Sequence, residues 1–144
     1  MSIYKNVQKI LSEIPDDVIV VAAAKTRNVE EVKASIDAGL THIGENYVQE
    51  LEQIAQNLGD YRDQATLRVI GHLQSNKINK ALPYCDTIDT IDSIKRARKI
   101  DKRVPEFRDT PLPVLIEINI ADEDNKDGAK PNFNEIKAIA KAIS

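Results

Sequence analysis

Apolar side chains follow two different periods along the chain, and each period predicts one kind of element. Near the N-terminus they recur every three or four residues, which is typical of an amphipathic helix over residues 3–14. Pro15 and two aspartates end that helix. A continuous apolar run, 18–24, follows, and its first four residues are β-branched. Such a run, bounded by polar residues, predicts a strand buried on both faces.

Short apolar runs then alternate with helical patterns as far as the last helix. The predicted strands are 18–24, 41–44, 67–71, 86–89 and 112–120. The predicted helices after them are 28–39, 45–58, 75–82, 93–103 and a segment that begins after Asn132. Five successive βα units predict an α/β fold with a parallel sheet and right-handed crossovers. The pattern leaves two architectures open, a doubly wound sheet and a (β/α) barrel of the TIM type.

Two of the predicted helices carry the residues of an N-terminal capping box. Asn28 precedes Glu31 by three residues, and Asn132 precedes Glu135 by the same spacing. In a capping box the first side chain accepts from a free backbone N–H, and the second side chain reaches back to the cap. These pairs therefore predict where the second and the last helix begin.

The first predicted strand ends on Lys25, and its neighbours make this lysine a candidate nucleophile. Side chains alternate across a strand, so Lys25 shares a face with Ile19, Val21 and Ala23. An ammonium beside apolar side chains is desolvated, which lowers its pKa and favours the nucleophilic amine. The small Ala23 leaves room for a flat ring, so the amine is a candidate to form an imine with an aldehyde. The alternative is a lysine that only returns the chain to solvent.

Polar residues and glycines also follow the other predicted strands. The carboxyl ends of parallel strands meet at one edge in both architectures, so the sequence predicts a site there. His72 has a second interpretation as an ordinary turn residue, and Glu117 as a paired group of a barrel interior. The residues of this edge are Lys25, Gly44 to Asn46, Gly71, His72, Asp89, Thr90 and Asn119.

Composition narrows the class of protein without identifying it. The chain has 144 residues, 42% of them hydrophobic and 30% charged, which predicts one soluble globular domain over 1–144. A net charge of −3 gives no reason to expect binding to nucleic acid or to an anionic membrane. One cysteine permits no intrachain disulfide and favours a cytoplasmic location. The N-terminus does not have the pattern of a signal peptide, and no segment reaches transmembrane length.

Several segments resemble motifs of other protein classes but lack their defining residues. The five glycines are too scattered for a dinucleotide fingerprint or a P-loop. The acidic stretch 122–128 has a lysine at its fifth position and lacks the acidic twelfth residue of a calcium loop. The two histidines and Cys85 lack metal-ligand spacing. The basic run 95–103 has no interleaved aromatic residues, which favours an exposed helix face over a nucleic-acid site.

Four segments, taken together and in order, resemble the pyridoxal 5′-phosphate homeostasis protein family, which is related to the N-terminal barrel of alanine racemase. They are 21–26, 43–50, 70–77 and 118–128. The most specific are Gly-Glu-Asn-Tyr-Val-Gln-Glu at 44–50 and Ile-Gly-His-Leu-Gln-Ser-Asn-Lys at 70–77. The resemblance covers nearly the whole chain and favours the barrel over the doubly wound sheet.

The resemblance implies a cofactor and a set of residues that bind it. Lys25 would carry pyridoxal 5′-phosphate as a Schiff base, with Asn46, His72 and Asn119 near the ring or its rim. Lys126 resembles the family's second lysine, near the cofactor entrance. Members of the family buffer or deliver the cofactor, so PLP-dependent apoenzymes are the implied partners, and no catalytic turnover is expected. The alternatives are a racemase-like enzyme and a shortened chain that no longer binds the cofactor tightly.

The length of the chain departs from the family pattern. A full TIM barrel needs eight βα units and about 250 residues, whereas this sequence supplies five units. By resemblance, the later segments of the family hold the phosphate and contact the pyridine nitrogen. The first and fifth strands would be open edges, and such edges favour association. We therefore expect either a fragment of a longer product or a chain that pairs with another copy.

Overall fold

The computed structural model describes residues 2–143, which form one five-stranded parallel sheet with helices packed against it. The strands are β1 (Val21–Ala23), β2 (His42–Glu45), β3 (Thr66–Val69), β4 (Thr87–Ile91) and β5 (Val114–Ile116). The helices are α1 (Ile3–Glu13), α2 (Val29–Asp37), α3 (Val48–Asn57), α4 (Ile78–Ala81), α5 (Ile94–Arg103) and α6 (Phe133–Ile143). Short 3₁₀ segments cover Gly59–Gln64, Ser75–Lys77 and Val104–Glu106.

The strands lie in the sheet in the same order as along the chain, and each neighbouring pair is parallel. Val21 lies opposite His42, which in turn lies opposite Thr66. A doubly wound sheet reverses its strand order at a switch point, whereas a barrel adds each new strand on the same side. The observed order is that of a barrel. The predicted class, an α/β partial barrel with an N-terminal helix, is confirmed.

The hydrophobic core lies between the helices and the face of the sheet that they cover, which we call the outer face. Leu67 of β3 and Ile88 of β4 are fully buried there, and Leu51 of α3 and Ile78 of α4 pack against this layer. Fully burying one such side chain contributes about 1.5–3 kcal/mol. The outer face is therefore what holds the βα units together.

The opposite, inner face of the sheet carries a polar cluster across its middle strands. Arg68 of β3 donates to both carboxylate oxygens of Asp89 in β4, at 2.7 and 3.1 Å. It also donates to Nδ1 of His42 in β2 at 3.1 Å. Desolvation and the guanidinium of Arg68 lower the pKa of His42. Neutral His42 can accept the hydrogen bond, so the cluster joins three strands on the inner face.

Side-chain caps begin several of the helices as the sequence predicts. Both hydrogen bonds of the capping box between Asn28 and Glu31 are present at the start of α2. Asn132 accepts from the backbone N–H of Glu135 at 3.2 Å at the start of α6. Gly39 follows α2 with φ of 110°, a conformation that glycine adopts without steric cost.

The first predicted strand differs most from its prediction. Regular pairing is confined to Val21–Ala23, and Val18 and Ile19 are 52% and 64% exposed. The prediction that this strand is buried on both faces is wrong. β1 is an edge strand that pairs only with β2, and no described residue covers its inner face.

Three other boundaries also shift. The helix predicted from residue 45 begins at Val48, because Glu45 still pairs within β2. The helix predicted over 75–82 is a 3₁₀ turn followed by the short α4. The strand predicted over 112–120 narrows to β5, beyond which Ile118 makes an isolated bridge and Ile120 is 84% exposed. In the part of the chain that the structure describes, no helix has both the length and the apolar character needed to cross a membrane.

Candidate functional site

Lys25 lies two residues beyond β1, in an exposed turn at the carboxyl edge of the sheet. The N–H of Arg27 donates to the carbonyl of Ala24 at 3.0 Å and closes this turn. Thr26 inside it has φ of 67°, which β-branched residues rarely adopt. The dry niche expected around Lys25 is absent from residues 2–143, because the inner face of β1 lacks an opposite wall there. The predicted dry niche is therefore wrong, and the covalent role of Lys25 stays a prediction.

A cavity of about 680 Å³ opens at the ends of β2 and β3. It brings together two of the predicted residues, Asn46 and His72, whereas Lys25, Asn119 and Lys126 are not among its lining residues. β1 is the neighbour of β2 in the sheet, so the turn that carries Lys25 adjoins the strand that leads to Asn46. Residues that line the cavity include Asn46, Gly71, His72, Lys77, Glu117 and Asp127.

Close backbone packing shapes the wall of this cavity. A Cβ atom on Gly71 would lie 2.4 Å from the carbonyl oxygen of Asn46. The N–H of Ile70 donates to the carbonyl of Glu45 at 3.0 Å, which extends the pairing of β2 and β3 to this point. The backbone after β3 is therefore in contact with the backbone that carries Asn46, and only glycine fits there.

His72 is surrounded by charged groups on the far side of the cavity. Its Nε2 accepts from Arg96 at 3.2 Å, which leaves the ring proton on Nδ1. Nδ1 lies 3.5 Å from Asp127 and 4.0 Å from Asp92. Arg96 also forms an ion pair with Asp92. The imidazole is thereby held in one tautomer with its N–H directed to carboxylates.

Glu117 lines the same cavity from the strand end after β5. Its Oε1 is buried and has no hydrogen-bond partner among residues 2–143. Desolvation, followed by the charges of Asp127 and Asp92, raises the pKa of this carboxyl. An acid with a raised pKa beside a histidine is suited to hold or transfer a proton.

Asn119 and Lys126 lie in the loop between β5 and α6. The side-chain amide of Asn119 donates to the carbonyl of Glu123 at 2.7 Å, and its oxygen accepts from the Glu123 N–H at 3.3 Å. In this structure Asn119 therefore closes the loop on itself. Lys126 is exposed in the same loop. The cofactor-binding roles predicted for both residues stay predictions.

Sequence reasoning did not find the charged residues that surround His72. Asp92 and Arg96 are four residues apart at the start of α5, a spacing that indicates an ion pair but not its neighbour. Asp127 reaches the cavity through the path of the loop after β5, and Lys77 reaches it through the 3₁₀ turn after β3. Hydrophobic period does not show that either side chain will lie there. Within residues 2–143, no group of histidine, cysteine and acidic side chains is arranged to hold a metal ion.

The fold and this edge define a class of protein: a parallel βα protein of the barrel type with a polar small-molecule cavity at the carboxyl ends of its strands. The chain belongs to the family of the alanine racemase N-terminal domain, whose family model matches residues 1–144.

The chain is similar to curated proteins that are named pyridoxal phosphate homeostasis protein. It is 36% identical over 144 residues to the pyridoxal phosphate homeostasis protein of Pasteurella multocida, covering 98% of this chain and 60% of that protein. It is 37% identical over 134 residues to the protein of the same name in Escherichia coli, covering 90% and 55%. The chain thus spans little more than half the length of these relatives.

Experimental structures show the same fold. A Bifidobacterium adolescentis protein described as unknown superposes with a TM-score of 0.87 at 34% identity, covering 98% of this chain and 63% of the other. PipY of Synechococcus elongatus with PLP bound superposes with a TM-score of 0.83 at 26% identity, covering 97% and 63%. Alanine racemase of Bacillus anthracis shares the fold at 20% identity and a TM-score of 0.68, covering 98% and 35%.

Proposed function

We propose that this chain binds pyridoxal 5′-phosphate at the carboxyl edge of its sheet, holds it covalently through Lys25, and serves in homeostasis of this cofactor. The main support is the cavity of about 680 Å³ in which Asn46 and His72 converge, next to the strand that leads to Lys25. The names of the curated relatives and the PLP-bound PipY structure support the same ligand.

The residues at the cavity suit the chemistry of this cofactor. A volume of about 680 Å³ lies within the range of small-molecule sites. The buried Oε1 of Glu117 has no hydrogen-bond partner in the described part of the chain and would accept from a ligand that carries an N–H or O–H group. Lys77 adds a positive charge to a lining that would meet an anionic group. When bound, the cofactor supplies an aldehyde for a lysine amine and a ring that accepts electrons.

Two further roles belong to the same proposal. Asn119, whose side chain contacts Glu123 in the loop after β5, would lie near the cofactor ring or its rim. Lys126, exposed in that loop, would lie at the entrance to the site. The partners that would receive the cofactor are PLP-dependent apoenzymes, and the place of action is the cytoplasm. Both of these rest on the resemblance.

The covalent role of Lys25 is tested by mixing the purified chain with pyridoxal 5′-phosphate. We expect a new visible absorption band that borohydride reduction converts into a stable adduct. Peptide mass spectrometry should locate this adduct on Lys25, and Lys25→Ala should abolish the band. Lys9→Ala in α1 and Lys99→Ala in α5 are the matched controls, because both lysines are exposed and neither is proposed to contact the cofactor. A band that survives in Lys25→Ala would reject the assignment, and no band at physiological cofactor concentration would favour the shortened, non-binding chain.

A racemase-like activity is the second candidate, and the raised pKa of Glu117 beside His72 is the observation that favours it. Two groups able to exchange protons line one cavity, as acid–base catalysis requires. The measurement is the exchange of the α-proton of amino acids in deuterated water with the cofactor-loaded protein. We expect no exchange above the rate of the free cofactor. Faster exchange that Glu117→Gln removes would establish catalysis instead.

A further inference from the structure

Glu45 is an acidic residue enclosed on the helix-covered side of the sheet. Only 1% of its surface is exposed, and among residues 2–143 no other acidic or basic residue is buried to this degree. Side chains alternate along β2, so Glu45 follows Ile43 to the outer face, while Gly44 lies toward the inner one. Glu45 thus lies behind the candidate site rather than in it.

Within residues 2–143, this buried carboxyl group has no cationic hydrogen-bond partner. Both of its oxygens, together with Oε2 of Glu50 in the first turn of α3, are buried and lack a hydrogen-bond donor in the described structure. Glu50 is the charged group that acts on Glu45. From the neighbouring elements, Arg27 is paired with Glu31 at 2.9 Å, Arg68 with Asp89 at 2.7 Å, and Lys25 is exposed. Glu52 of α3 accepts from Gln56.

Two facing carboxyl groups without a cation cannot both be ionised at low cost, and a shared proton removes the conflict. Desolvation, and then the hydrogen bond and charge of Glu50, raise the pKa of Glu45 to about 8. The proton on Glu45 can then be donated to the carboxylate of Glu50. This supplies a partner to oxygens that otherwise have none.

The pair brackets the turn that carries Asn46. Residues 46 and 47 are the link between Glu45 at the end of β2 and α3, which contains Glu50 in its first turn. Tyr47, the N-cap of α3, makes no side-chain capping hydrogen bond. The backbone of Asn46 also rests on Gly71. A hydrogen bond between residues 45 and 50 therefore closes a loop around a turn that lacks a cap of its own.

We propose that Glu45 and Glu50 are positioning residues, which share one proton and thereby fix the turn that presents Asn46 to the cavity. The importance of this turn for cofactor affinity rests on the proposed function. The shared proton and its effect on the turn are independent of whether the cofactor binds. When the shared proton is lost, the two carboxylates repel each other and the turn is displaced.

The first experiment uses the cofactor-free chain. NMR of the Asn46 and Tyr47 backbone amides, recorded from pH 6 to pH 9.5, should show both signals titrating with a midpoint near 8. Glu45→Gln keeps a neutral hydrogen-bond donor and should remove this titration while leaving the signals near their low-pH positions. Glu52→Gln, on the same helix, should titrate as the wild type does. Amides that do not titrate in the wild type, or that titrate equally in Glu45→Gln, would overturn the proposal.

The second experiment measures the dissociation constant of pyridoxal 5′-phosphate over the same pH range. Relative to Glu45→Gln, the wild type should lose roughly tenfold in affinity above the midpoint. Glu45→Leu, which leaves Glu50 without a partner, should bind roughly tenfold more weakly at neutral pH. Equal affinities and pH profiles in wild type and Glu45→Gln would refute the effect on binding. Failure of every variant to bind would refute the proposed function instead, and the amide titration would still decide on the turn.

Discussion

A side chain at Gly71 or at Gly44 would clash with a neighbouring group, but the group differs between the two positions. At Gly71 the obstacle is backbone, since a Cβ would lie 2.4 Å from the oxygen and 2.9 Å from the Cα of Asn46. At Gly44 it is the side chain of Ile70, at 2.7 Å. A side chain can change rotamer, whereas paired backbone moves only together with its strand.

We therefore expect Gly71→Ala to be more destabilising than Gly44→Ala. Overpacking costs about 1–3 kcal/mol, and Gly71→Ala should lie at the upper end because two strand ends must separate. Gly44→Ala should lie at the lower end. Urea denaturation of the three proteins gives the free energies of unfolding, and the reverse order would show that the contact of Gly71 with Asn46 is not rigid.

For single residues, the sequence predicted where side chains lie in the sheet better than it predicted whether they are buried or exposed. Asn46 and His72 follow adjacent strands, so parallel pairing alone brings them together. The apolar residues on the same face of β1 predicted that Lys25 is shielded from solvent. This prediction failed because those residues are themselves exposed. The burial of Glu45 was missed because an acidic residue near a helix start normally indicates a solvated first turn.

The helices show how much local chemistry determines by itself. The capping box of α2 and the serine caps of α1 and α5 are local hydrogen bonds between residues three apart. Such signals can be recognised in the sequence whatever fold surrounds the helix, because they depend only on residues close together in the chain. The segment after β3 has no cap, and there the predicted helix gives way to a 3₁₀ turn before α4.

The cap of α2 offers a test at the scale of one element. Asn28→Ala removes the acceptor for the Glu31 N–H at 2.9 Å and should lower the free energy of unfolding by about 1 kcal/mol. Because Asn28 ends the turn that carries Lys25, this variant should also raise the exchange rates of amide hydrogens in residues 25–29. Asn57→Ala is the control, since the Asn57 side chain makes only an exposed contact within α3, and its effect should stay within about 0.5 kcal/mol. Equal effects would mean that the cap contributes nothing specific.

At the scale of the whole molecule, the sheet has one covered face and one open face. The helices bury the outer face, while Ile19 and Leu115, on the two edge strand regions, are 64% and 53% exposed. The Arg68 cluster occupies the middle of the inner face with hydrogen-bonded polar groups. Both edges of the sheet also keep unpaired backbone groups, which favour pairing with another chain.

A polypeptide of these 144 residues should therefore self-associate at micromolar concentration. Sedimentation velocity should show a mean mass above the 16.1 kDa of one chain, rising with concentration. Ile19→Lys places a charge on the exposed edge region and should shift the distribution toward the monomer. Lys5→Glu, on the exposed surface of α1, is the control. A monomer at all concentrations, with no binding of the dye ANS, would contradict this prediction.

Local signals in the sequence are enough to predict the order of elements, the parallel sheet and the edge at which polar residues gather. These follow from hydrophobic period, capping and strand alternation, which act over a few residues and so can be recognised without the fold. Tertiary structure alone decided that Lys25 is exposed, that His72 meets Asp127 and Arg96, and that Glu45 faces Glu50 away from solvent. Burial and charge at these positions depend on groups that are distant in the chain, and no local pattern records which of them will be neighbours.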